Sequence, residues 1–107
     1  MDSFSLGSAL EMLILEVIAR GPSYGYEIAQ TVLGRSRGYF EITEGSLYPA
    51  LHRLERREWI TSIWRQTEKN RIARFYELTA KGRHILDQRI EGWRAYAGAI
   101  DLVINAG

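Results

Sequence analysis

The chain of 107 residues has no cysteine, only two prolines, and no apolar run close to the ~20 residues that a membrane-crossing helix needs. Without cysteine there is no disulfide scaffold, no thiolate zinc site and no cysteine nucleophile. Glu11, Glu16 and Asp101 interrupt the most apolar stretches, and the first residues lack the basic start of a secretory leader, so the expected home is the cytoplasm. An excess of one charge is missing too: 14 Lys and Arg face 13 Asp and Glu, for a net charge of +1. A hydrophobic share of 46% and a charged share of 25% are those of one ordinary globular domain. A chain this short buries only about two-thirds of its unfolded surface. A long apolar face therefore points to self-association.

The charges are unevenly spread. Residues 35–74 hold nine basic and five acidic side chains, whereas the rest of the chain holds five basic and eight acidic. A basic middle between acidic flanks suits nucleic acid, and it is equally compatible with an ordinary solvated surface.

Leu10, Leu13, Ile14, Val17 and Ile18 recur at the spacing of a buried helical stripe, with Ser8 and Glu11 placed as a capping box and Gly21-Pro22 as the stop. Ser23 is positioned to cap a second helix that buries Ile28, Ala29, Val32 and Leu33 and ends near Gly34, before a basic, glycine-containing loop. A third helix starts near Thr43 or Glu44 and sets Leu47, Leu51 and Leu54 on one face, with Ser46, Pro49, Arg53 and Arg56 opposite. Pro49 lacks an N–H and fits only as an irregularity of the first or second turn.

Two segments rich in β-branched and aromatic residues follow, Ile60 to Gln66 and Arg71 to Leu78. The polar run Thr67, Glu68, Lys69, Asn70 between them makes a hairpin tip. Thr79 then caps a last helix of about 40 Å, in which Leu86, Ile90, Trp93, Ala97, Ile100 and Ile104 repeat at alternating steps of four and three. That heptad seam is the expected dimer interface. The other reading of the seam is that it folds back on the first helix.

The fold class is therefore mainly α with a small β-hairpin: a winged helix-turn-helix over residues 1–78 and a dimerisation helix over 79–107, together one compact unit. In this architecture the helix before the hairpin enters the major groove and the wing reaches the neighbouring backbone. Ser46, Tyr48, His52 and Arg53 present hydroxyl, imidazole and guanidinium groups suited to phosphates and base edges. Winged helices also bind proteins or small ligands, so a module without sequence-specific DNA binding is the competing reading.

The run Glu44-Gly45-Ser46-Leu47-Tyr48-Pro49-Ala50-Leu51-His52-Arg53-Leu54-Glu55 resembles the recognition-helix signature of PadR-type transcriptional regulators. Gly21-Pro22-Ser23-Tyr24-Gly25-Tyr26-Glu27-Ile28 resembles the opening of that family's second helix. Phe75-Tyr76-Glu77-Leu78-Thr79, with Gly82 and Arg83, resembles its junction between wing and last helix. The likeness runs from about Leu10 to the C-terminus. It implies a homodimeric bacterial regulator, usually a repressor, that binds a near-palindromic operator on double-stranded DNA and is released by a small effector. By matching position, the implied DNA contacts are Ser46, Tyr48 and Arg53, Tyr26 on the second helix, and Lys69 with Arg71 at the wing. The wing departs from the family, with Asn70 where members often carry glycine; asparagine tolerates the same positive φ.

The single last helix resembles the short branch of the family, where a tryptophan at the position of Trp93 lines a pore between subunits and stacks on flat, apolar drugs. Trp93, with Met12 and Ile90, is accordingly a candidate site for a small apolar or aromatic effector, and buried dimer core is its other reading. His52 and His84 lack neighbours at metal-ligand spacing. No nucleophile triad, phosphate loop or carboxylate pair stands out, so no enzyme, metal or cofactor is expected.

Overall fold

The computed structural model describes residues 9–106 as four helices and a small antiparallel sheet: α1 (Leu10–Ala19), β1 (Ser23–Tyr24), α2 (Gly25–Arg35), α3 (Glu44–Arg56), β2 (Ile60–Gln66), β3 (Ile72–Leu78) and α4 (Ala80–Ile104). The apolar stripes expected of the first three helices converge on one core. Ile14, Leu15 and Ile18 of α1 meet Ile28 of α2 and Leu47, Leu51 and Leu54 of α3, closed by Ile60, Tyr76 and Leu86. Burying such side chains contributes roughly 1.5–3 kcal/mol each against exposure, which outweighs the weak intrinsic propensity of these short helices.

Local chemistry sets the helix ends. Thr43 caps α3 by accepting from Ser46 N, and Thr79 caps α4 by accepting from Gly82 N at 3.0 Å. The Thr79 hydroxyl also donates to the Glu58 carbonyl at 2.7 Å, fastening the start of α4 to the end of α3. Gly82 is indispensable to that junction, because a Cβ there would collide with the Trp59 carbonyl. Both α2 and α3 end with paired backbone bonds around a left-handed residue. Gly38 N reaches Leu33 O across Arg37 (φ 53°), and Trp59 N reaches Leu54 O across Glu58 (φ 62°). Pro49 lies in the second turn of α3, where the exposed Gly45 carbonyl goes without a helical donor.

Several local expectations are corrected. Ser8 lies outside the described residues; the N-cap of α1 is Ala9, and the Glu11 side chain turns to arginines instead of a cap. Ser23 belongs to a third strand rather than capping α2: it pairs with Tyr76, its hydroxyl donates to Glu27 Oε1 at 2.8 Å, and the N-cap is Tyr24. The sheet order is thus β1-β3-β2. Helix α2 continues one residue past Gly34, with Arg37 in the left-handed position.

The seam of α4 divides in two. Leu86 is only 1% exposed and belongs to the core of its own chain, so it is not a dimer-interface residue; Ile90 is partly covered by the same core. Beyond it Trp93 is 53% and Ile104 70% exposed, with Tyr96, Leu102 and Val103 also open. The back-folded reading holds for the first turns of α4, which pack on the core, whereas its last three turns have no cover among the described residues. The molecule measures 56 × 28 × 22 Å; the 25 residues of α4 span about 38 Å at 1.5 Å per residue, more than either short dimension.

Candidate nucleic-acid interface

The outward face of α3 begins at its cap. Thr43 holds Ser46 twice, accepting from its amide at 3.3 Å and donating to its Oγ at 3.2 Å, which leaves the Ser46 proton free to point outward. His52 is exposed on the same helix. The Tyr48 ring leans across the start of α2, where an added Cβ on Gly25 would lie 2.5 Å from its hydroxyl oxygen. Tyr26, one residue further on, is 63% exposed.

The wing tip is a tight turn built on Thr67. Its amide donates to the Arg71 carbonyl at 2.7 Å, its carbonyl accepts from Asn70 N at 3.0 Å, and its Oγ1 accepts from the Lys69 and Arg71 amides at 3.3 Å. Asn70 takes φ 60°, as expected of the residue replacing glycine. With the backbone tied inward, Lys69 and Arg71 project into solvent. Tyr24 donates to Glu68 Oε1 at 3.3 Å, linking the wing turn to the start of α2. Slight desolvation together with the Glu68 and Glu27 carboxylates raises the Tyr24 phenol above its ordinary value. Tyr48 over Gly25 and Tyr24 on Glu68 thereby draw α3, the start of α2 and the wing tip to one side of the molecule.

Arg53 makes a contact that the sequence does not show. Its Nε donates to Glu11 Oε2 of α1 at 3.2 Å, and its side chain stays 39% exposed. Seven residues make nearly two whole turns and return Arg53 to within about 20° of the Ser46 line, so its long side chain, not its backbone position, brings the guanidinium to the carboxylate. Arg57 and Arg89 converge on the same carboxylate. Burial pushes the Glu11 carboxyl upward, but hydrogen bonds from Arg89 and Arg53 and the charge of Arg57 outweigh it and hold the group below its ordinary value. Nothing in the local pattern announces this cluster, whose members lie 42, 46 and 78 residues from Glu11.

A second network stiffens the wing. Ser62 Oγ donates to Glu55 Oε2 at 2.7 Å and accepts from Arg74 Nε at 2.8 Å, while the Arg74 guanidinium lies 5.7 Å from the Trp64 ring centre. Arg65 covers the opposite face of the hairpin, 4.6 Å over Phe75. Sequence reasoning missed both; the basic–aromatic alternation in Trp64-Arg65 and Arg74-Phe75 was their available signal.

Met12, Ile90 and Trp93 do line one groove, of about 440 Å³, between α1, α2 and α4. Val17, Val32 and Phe40 extend its apolar wall, and Arg20, Arg35 and Arg94 stand at its rim. Among the described residues no group of His, Asp or Glu is arranged to hold a metal ion, and no helix is long and apolar enough to cross a membrane.

Three helices, a short third strand and a hairpin wing carrying exposed polar and basic side chains define a winged helix-turn-helix protein. The chain belongs to the transcriptional regulator PadR-like family, whose model matches residues 14–88. It is 31% identical over 96 residues to an uncharacterised protein of Lysinibacillus sphaericus, covering 90% of this chain and 88% of that one. Among solved structures, a transcriptional regulator of Clostridium thermocellum superposes with a TM-score of 0.80 at 28% identity, covering 90% of this chain and 93% of the other. A PadR family transcription regulator of Clostridium difficile superposes with a TM-score of 0.78 at 30% identity, over 90% of this chain and 98% of its own.

Proposed function

We propose that the protein is a homodimeric transcriptional repressor that binds a near-palindromic operator and leaves it when a small apolar or aromatic effector occupies the groove at Met12, Ile90 and Trp93. The observation that carries this reading is the outward face of α3, where Thr43 presents the Ser46 hydroxyl and the helix exposes Tyr48 and His52. In the major groove these side chains meet base edges and phosphates, Tyr26 approaches the adjoining backbone, and Lys69 and Arg71 on the wing meet the next phosphates. Arg53 belongs to the same proposed set, its guanidinium paired with Glu11 in the free protein and its side chain 39% exposed. The dimer joins through Trp93, Ala97, Ile100 and Ile104, the open part of the seam. Its two-fold axis asks for two half-sites about one helical turn, or a multiple of it, apart. Such a regulator works in the cytoplasm, beside the chromosome.

The test is selection of bound duplexes from a random library, followed by fluorescence anisotropy over a salt series. Enrichment of a two-fold sequence is expected, with log K falling by about 0.9 per neutralised phosphate as log salt rises. Lys69→Ala should lower that slope by about one on any duplex, whereas Ser46→Ala should weaken only the selected one. If nothing is enriched and no duplex is bound at low salt, the fold serves a protein or ligand instead.

A further inference from the structure

The Glu11 carboxylate is shared by three guanidiniums from two helices. Its Oε1 accepts from Arg89 of α4 at 3.0 Å and from Arg57 at 3.2 Å, and its Oε2 accepts from Arg53 of α3 at 3.2 Å. Arg57 and Arg89 also lie over one indole, 5.0 and 5.1 Å from the centre of the Trp59 ring. One arginine would neutralise Glu11, and the third adds repulsion against the other two. What Arg89 adds is therefore geometric: it ties α4 to Glu11 of α1 and to Trp59 just after α3, the carboxylate that also holds Arg53 and Arg57 and the ring that also carries Arg57. The tie is stiff because a planar guanidinium donates along fixed directions while stacking on the aromatic face. Ile90 and Trp93, which line the groove, follow Arg89 on the same helix.

We infer that Arg89 is a positioning residue for DNA recognition, through which the C-terminal helix sets the orientation of the recognition helix. The inference rests on the reading that α3 enters the major groove. It gives the groove a mechanical route to the operator: an occupant that shifts α4 at Ile90 and Trp93 moves Arg89, and with it the Arg53 and Arg57 end of α3.

The experiment compares the wild-type protein with Arg89→Met and Arg89→Lys on a selected duplex and on a scrambled duplex of equal length, across a salt series, with mass and melting temperature measured alongside. Arg89→Met is expected to weaken the selected duplex about five- to tenfold. It should leave the scrambled duplex, the salt slope and the dimer mass unchanged. Arg89→Lys, which keeps the charge and loses the planar fork, should retain most of the defect. Should either variant melt below the assay temperature, Glu11→Gln replaces it with the same expected pattern. Unchanged affinity for the selected duplex overturns the inference. So does equal weakening on both duplexes with a slope lower by about one, which marks a direct phosphate contact, and so does full recovery by lysine. A wild-type chain that binds no duplex overturns the DNA reading and this inference together, whereas a wild type that binds while Arg89→Met binds as well overturns the inference alone.

Discussion

The ring of Tyr48 lies across Gly25, with its hydroxyl oxygen 2.5 Å and its ζ carbon 2.9 Å from where a Cβ on that glycine would sit. The crossing of α2 and α3 therefore depends on the absence of one methyl group. Gly25→Ala is expected to push Tyr48 off the outward face, lowering operator affinity about tenfold while costing less than about 1.5 kcal/mol of stability. Because the alanine acts through the tyrosine, Gly25→Ala and Tyr48→Ala should not add: the double variant binds no worse than Tyr48→Ala alone. Anisotropy on the four proteins, with urea melts, checks this.

Acid should loosen the joint between α1, α3 and α4. Glu11 is held below its ordinary value of 4.5 in the folded chain, so its carboxylate favours the folded state. That contribution is complete above the ordinary value and is lost as pH falls through the folded one. Glu11→Gln should cost about 1 kcal/mol at neutral pH, a modest figure because the arginines stay partly in water. The gap between wild type and variant should close below pH 4.5, as read by urea midpoints from pH 7 to pH 3.

Glu58 ends α3 at φ 62°, where a side chain crowds the following carbonyl and glycine does not. Glu58→Gly is expected to stabilise the protein by about 0.5–1 kcal/mol. DNA affinity should not change. A thermal melt and an anisotropy titration decide both halves of the expectation.

Trp93→Asp places a charge in the open part of the α4 seam. Since Trp93 is half-exposed within its own chain, the variant monomer should fold. Sedimentation should give half the wild-type mass, because burying an unpaired carboxylate across an apolar interface costs several kcal/mol. Loss of operator binding should accompany loss of the dimer.

Much of the architecture was legible because it is written in short-range chemistry. Thr43 and Thr79 mark the starts of α3 and α4, as their spacing to Ser46 and Gly82 suggests. Asn70 takes the left-handed turn of the wing, and the paired strands run within a residue of their expected limits. The strand at Ser23 and Tyr24 escaped notice since two residues have no period, and they become a strand only when β3 arrives alongside.

The sequence by itself determined the helices, the wing and the apolar stripes, because caps, turns and periodicities act between residues at most four or so apart. Only the tertiary structure decided which surfaces of those elements remained free. It took Leu86 into the core, paired Arg53 with Glu11, and gathered Arg57 and Arg89 onto Trp59. Those outcomes depend on the distance between a carboxylate on one helix and guanidiniums on two others. That distance is set by the packing of the whole core, and no local window of the chain contains it.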